Sequence, residues 1–164
     1  MESTINLQLK NYTLVEEISQ DDVVTVYRGV RKVDGAVVII KVLASLFASD
    51  EFLVRRFKLA TQQTAKLEHP NIIHTYEAEQ EGDKLFLVQD WVEGRSLGQT
   101  LAEEGPFSPQ RMQMIARQIA SALDYAHQKS VTHGNLSASR IFIGPEDHVW
   151  IAGFGQTQAL FGVN

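Results

Sequence analysis

The sequence contains no cysteine. That excludes a disulfide framework, a thiolate nucleophile and any zinc–sulfur site. It also lacks an excess of basic residues. A net charge of −5 argues against nucleic acid, which needs a basic face. Residues Met1–Lys10 lack the basic-then-apolar order of a secretory leader. No apolar run approaches the roughly 20 residues needed to span a bilayer. A cytoplasmic protein without a membrane segment is therefore expected. There is no internal repeat and no low-complexity tract. The 164 residues suit one domain, or two small lobes, and the apolar content is ordinary for a chain that buries a core.

What is present first reads as a sheet. Residues Asn11–Ile18 and Val23–Val30 are β-rich and separated by Ser19-Gln20-Asp21-Asp22. Ala36–Leu43 follows Asp34-Gly35, a strong hairpin dipeptide. Its near-continuous apolar character predicts a strand buried on both faces. The spacing of Leu53, Phe57, Ala60, Thr64 and Leu67 predicts a helix over Asp50–Glu68, ended by His69-Pro70. Ile72–Ala78 and Lys84–Asp90 add two strands. The first 90 residues thus read as five antiparallel strands with one helix against them.

A connector at Trp91-Val92-Glu93-Gly94 leads to a more helical part. Ser96–Glu103 reads as a short helix. Ser108-Pro109 opens a long one, Ser as N-cap and Pro in the first turn. That helix is expected over 108–129, its stripe formed by Met112, Ile115, Ala116, Ile119, Leu123 and Ala126. Arg140–Ile143 and Val149–Ile151 flank Gly144-Pro145-Glu146-Asp147 and read as a second hairpin.

The segment from Val131 to Gly155 carries a resemblance. His133-Gly134-Asn135-Leu136-Ser137-Ala138-Ser139-Arg140, the hairpin, and Gly153-Phe154-Gly155 resemble the catalytic loop and metal-binding turn of the protein kinases. There the motifs read H-R-D-L-x-x-x-N and D-F-G. Further landmarks are similar in order and spacing. They are Lys41 in Val38-Ile39-Ile40-Lys41, Leu67-Glu68-His69-Pro70-Asn71-Ile72, Leu87–Gly94, and Leu123-Asp124-Tyr125-Ala126-His127. The chain is most similar to bacterial serine/threonine kinases of eukaryotic type. The resemblance covers nearly the whole chain but only the first part of the family's domain, without the A-P-E segment. It implies an α+β fold: a five-stranded small lobe over 1–90, a hinge at 91–94, and a partial helical lobe over 95–164.

Within that frame the chemistry is altered. Phosphoryl transfer is mostly positioning and charge neutralisation. Asn135 stands where the family has its catalytic carboxylate, and an amide is not a base at neutral pH. Gly153 stands where a metal-binding carboxylate belongs. Arg140 replaces the Asn that is the second metal ligand. A guanidinium about 4 Å from a divalent cation costs roughly 8 kcal/mol at an effective dielectric near 20. Arg140 is therefore expected to exclude metal, to replace it by pairing with phosphate, or simply to support the hairpin.

The phosphate loop is also changed, since Ser19–Val24 contains no glycine and its Asp21 and Asp22 repel phosphate. The helix residue that pairs with the family's lysine is Ala60 here. Lys41 is left to an anion, another carboxylate or water. Ile39, Phe142 and Gln89 line the implied adenine slot, with Ile39 and Phe142 larger than usual. His133 and Phe154 are expected to pack together.

These residues imply no catalytic group, no metal and no bound cofactor. Lys41 and Arg140 remain as candidates for an anion or phosphate only. The expected role is a pseudokinase, a binding or scaffold module. The alternatives are a metal-independent nucleotide sensor, or the kinase-like part of a longer signalling protein. A protein partner is expected, neither nucleic acid nor membrane. Met114, Tyr125 and the tail residues Leu160-Phe161 point to a homodimer through the helix at 108–129 and the C-terminal tail.

Overall fold

Asp34-Gly35 sets the register of the first sheet. Gly35 takes a φ of +74°, the left-handed region that glycine enters at no steric cost. The turn is closed by Arg31 N–H donating to the Ala36 carbonyl at 2.9 Å. Strands β2 (Val24–Arg31) and β3 (Val37–Leu43) leave it antiparallel, with Arg28 opposite Ile39 and Val26 opposite Lys41. The computed structural model describes residues 7–155. They fall into two units, residues 7–62 with Thr75–Trp91, and Gln63–His74 with residues 92–155.

The first unit holds β1 (Tyr12–Gln20), β2, β3, a short helix α1 (Ser45–Ala48), most of α2 (Glu51–Thr64), β4 (Thr75–Glu81) and β5 (Lys84–Asp90). The five strands pair antiparallel in the order β1-β2-β3-β5-β4. One face is packed by Val38 and Ile40 from β3 and Phe86 and Val88 from β5, covered by Leu9 and Tyr12. Each fully buried aliphatic or aromatic side chain there contributes about 1.5–3 kcal/mol. The strand buried on both faces is β5, from Leu85 to Gln89, not β3. In β3 only Val38, Ile40 and Leu43 are fully buried, while Ile39 and Lys41 on the other side are half-buried. Apolar composition alone did not distinguish a central strand from its neighbour.

Helix α2 begins where Asp50 Oδ1 accepts from Phe52 N–H at 3.0 Å and Leu53 N–H at 3.1 Å. It ends at Thr64, four residues before the expected Glu68. The chain tightens there, with Lys66 N–H bonded to the Gln63 carbonyl and Leu67 N–H to the Thr64 carbonyl, three residues back rather than four. Leu67 leaves the helix to enter the second unit's core. Ile72 and Ile73 likewise do not begin β4. Ile72 forms an isolated parallel bridge to Ile151, and Ile73 N–H donates to the Ile151 carbonyl.

The second unit contains β6 (Arg95–Ser96), α3 (Leu97–Glu104), α4 (Pro109–Gln128), β7 (Ile141–Ile143) and β8 (Val149–Ile151). Three short strands pair in the order β6-β7-β8. Ser96 and Gln99 form a reciprocal capping box on α3. Ser108 caps α4 by accepting from Arg111 N–H, with Pro109 in the first turn. Ile115, Ala122 and Ala126 are the buried side of α4. Met112 and Ala116, expected in that stripe, are exposed. Two clusters surround the helix, one of Leu67, Ile72, Ala122, Ala126, Ile151 and Phe154, the other of Ile115, Ile141, Ile143 and Val149.

Tyr125 is covered: its hydroxyl accepts from Glu68 N–H at 3.2 Å and its ring lies 5.2 Å from that of His69. Met114 is exposed. Leu160 and Phe161 lie outside the described residues. No described helix is long and apolar enough to cross a membrane.

Candidate functional site

The hairpin register assembles the second unit's motif residues. Ile141 faces Ile151, so the next pair outward is Arg140 and Ala152, joined by Ala152 N–H donating to the Arg140 carbonyl at 2.8 Å. Gly153 follows at once, with a φ of +91°. A Cβ at Gly153 would lie 2.5 Å from Arg140 Nη1. The guanidinium thus occupies the space that a side chain at 153 would enter. It has no hydrogen-bond or ion-pair partner among the described residues.

His133 supports this corner from behind. It is buried, and its Nε2 faces the Ala152 carbonyl at 2.9 Å, so that nitrogen carries the proton. Its Nδ1 accepts from Asn135 N–H at 3.3 Å. Burial pushes its pKa below the usual imidazole value, the Ala152 carbonyl opposes this, and the Arg140 charge adds to it. Its ring meets Phe154 edge-on, 4.8 Å between centroids, as the expected packing pair. Asn135 itself is exposed, as are Ser137 and Ser139, whose hydroxyls bond each other at 2.9 Å. Phe142 is half-buried in β7 opposite Trp150.

Arg140, Gly153 and His133 therefore come together, with Asn135 tied in through its backbone. Asn135, Arg140 and Gly153 do not fit a divalent cation. They offer no carboxylate, and a guanidinium lies over Gly153. Among the described residues there is no cluster of three or more His, Asp or Glu side chains that could hold a metal.

The remaining candidates lie in the first unit. Asp21 ties down the connection between β1 and β2 by accepting from Val23 and Val24 N–H, both at 2.8 Å. These two bonds, Val24's the stronger, hold its carboxyl below the usual range. Backbone donors in this turn are thus consumed by a carboxylate. Asp22 beside it is exposed. Lys41 is half-buried between Val26 and Leu87 across the sheet. Ala60 is half-buried on α2, between the inward-facing Phe57 and Thr61. Ile39 lies between Arg28 and Gln89. Gln89 is buried and donates to Thr75 Oγ1 at 2.9 Å.

Sequence reasoning passed over Arg28. Its guanidinium pairs with Glu16 at 3.0 Å and lies 5.8 Å from the Trp91 ring, while its Nε is buried without a hydrogen bond among the described residues. The signal was available, because the Asp34-Gly35 turn fixes the register that sets Arg28 beside Ile39.

Comparison with known proteins identifies the family. The family model described as protein kinase domain matches residues 12–162. The chain is 33% identical over 123 residues to the serine/threonine-protein kinase PrkC of Bacillus subtilis, covering 75% of this chain and 19% of that protein. It is 30% identical over 149 residues to PknL of Mycobacterium tuberculosis, covering 91% and 37%. The crystal structure of the M. tuberculosis PknI kinase domain superposes with a TM-score of 0.78 at 26% identity, covering 88% of this chain and 58% of that one. The chain thus spans between a fifth and two fifths of these curated relatives. With a family match over most of its length and a shared fold, this chain belongs to the protein kinase domain family.

Proposed function

We propose that the chain is a catalytically inactive kinase-like module, a pseudokinase that binds a protein partner as scaffold or regulator. The observation that carries this reading is the Arg140 guanidinium over Gly153. The hairpin register sets Arg140 beside Gly153, and its guanidinium lies in the space where the family's chemistry needs a metal-binding carboxylate. Asn135 and the carboxylate-tied turn at Asp21 support the same reading. The net charge of −5 favours a protein partner over nucleic acid, and we place the module in the cytoplasm. It spans only part of its relatives, which fits a kinase-like part of a longer signalling protein.

Millimolar Mg-ATP tests this reading through the melting temperature. A ligand at 100 times its dissociation constant adds about 2.7 kcal/mol, an easily read rise. No rise is expected. A metal-dependent rise would contradict the reading. A second reading, a metal-independent nucleotide sensor using Arg140, is favoured by a guanidinium that has no hydrogen-bond or ion-pair partner among the described residues. It predicts a rise with ATP in EDTA that is lost in Arg140→Ala.

A further inference from the structure

Two opposite ends of the first unit carry exposed apolar side chains of complementary surroundings. One is the outer face of α2. Phe52 and Leu59, seven residues apart, share the side of the helix opposite Phe57, Thr61 and Thr64. Phe52 is 88% exposed and Leu59 52%. Arg55 and Arg56 are exposed between them.

The other is the edge strand β1. Its pairing with β2 shifts between Leu14 and Glu16 and again between Glu17 and Ser19. Val15 and Ile18 are the residues left over at these bulges, 49% and 46% exposed. Glu17 is exposed beside them, and Asp22 lies at the end of the strand connection. Two bulges in one strand break the even ladder that a further strand would need. The edge is therefore unsuited to sheet extension. It still carries two exposed apolar side chains with acidic residues beside them in the chain, which suits a basic, apolar helix.

Both halves of such a contact are on this chain. We infer that the α2 face of one copy docks on the β1 edge of a second copy. Phe52 and Leu59 meet Val15 and Ile18, and Arg55 on this basic face meets the acidic Glu17 and Asp22. The two surfaces lie at opposite ends of the sheet. α2 is tied by the Lys58–Glu79 ion pair to β4, the last strand in the order, and β1 is the first. The contact is head-to-tail, so it propagates rather than closing as a two-fold pair. It is separate from the Arg140–Gly153 corner and holds whether or not the module transfers phosphate.

The test is light scattering after size exclusion on the full chain, at several concentrations and two salt levels. The mass is expected to rise with concentration beyond a dimer, and to fall at high salt as the charge pairs are screened. The double variants Arg55→Glu with Arg56→Glu, and Glu17→Lys with Asp22→Lys, each place like charges across the contact. Each alone is expected to associate at least about tenfold more weakly. An equimolar mixture of the two restores opposite charges at every contact and is expected to recover association. Phe52→Ser, at a solvent-exposed position, is a second variant expected to weaken association without charge change. A wild-type mass that stays monomeric overturns the inference. So does a mass fixed at a dimer, association insensitive to all these variants, or a mixture of folded double variants that fails to recover.

Discussion

The Nη1 atom of Arg140 lies 2.5 Å from the point that a Cβ on Gly153 would occupy. Two costs therefore meet at position 153, and their sizes differ. A flexible guanidinium can move aside cheaply, whereas a left-handed φ costs an L-residue roughly 1–2 kcal/mol. The backbone term wins. Gly153→Ala is expected to lose about 1–2 kcal/mol in denaturant titration, and to lose a similar amount in an Arg140→Ala background. Gly153→Asp places a carboxylate against the guanidinium and should cost less than Gly153→Ala, by a margin that shrinks in the Arg140→Ala background, where only the better tolerance of Asp for a left-handed φ remains. The same margin in both backgrounds would show that the guanidinium does not sit over this position.

His133 sets a pH dependence. Its folded pKa lies below the unfolded value of about 6.5, so the unfolded chain binds the extra proton first. Stability is then complete above that value and falls as pH drops through it toward the folded pKa. His69, also lowered by burial, acts in the same direction. Melting temperatures at pH 7.5 and 5.5 should show a fall in the wild type and a smaller fall in His133→Gln. An identical fall in both would remove His133 from the account.

Much of this architecture was legible because its signals are local. Asp34-Gly35 fixes the hairpin between β2 and β3, and Ser108-Pro109 marks the start of α4. The misread elements depend on distant partners. Leu67 keeps helical spacing yet leaves α2 for a core built with Ala122, Ala126 and Phe154. The two-residue β6 exists only through pairing with β7. At the site, Asn135, Arg140 and Gly153 could be named from motif order. The contact between the last two could not, because it follows from the Ile141–Ile151 register across the hairpin.

The tip of that hairpin is pinned by a charge cluster that composition does not show. Glu146 and Asp147 both have left-handed φ, 55° and 56°. Arg111 holds Asp147 through Nε at 3.0 Å and Nη2 at 2.8 Å, reaches Glu104 at 2.6 Å, and stacks on Phe107 at 4.1 Å. A lysine has neither the fork nor the plane for this. Thermal unfolding should therefore rank wild type above Arg111→Lys and Arg111→Lys above Arg111→Ala. A lysine variant as stable as the wild type would show that only the charge matters.

Phosphate transfer itself is the direct test of the Arg140–Gly153 corner. Purified chain is incubated with labelled ATP, magnesium or manganese, and a generic protein substrate, beside a Lys41→Ala variant. No transfer above background is expected with either metal, on the substrate or on the chain itself. Transfer that is present in the wild type and abolished in Lys41→Ala would contradict the account.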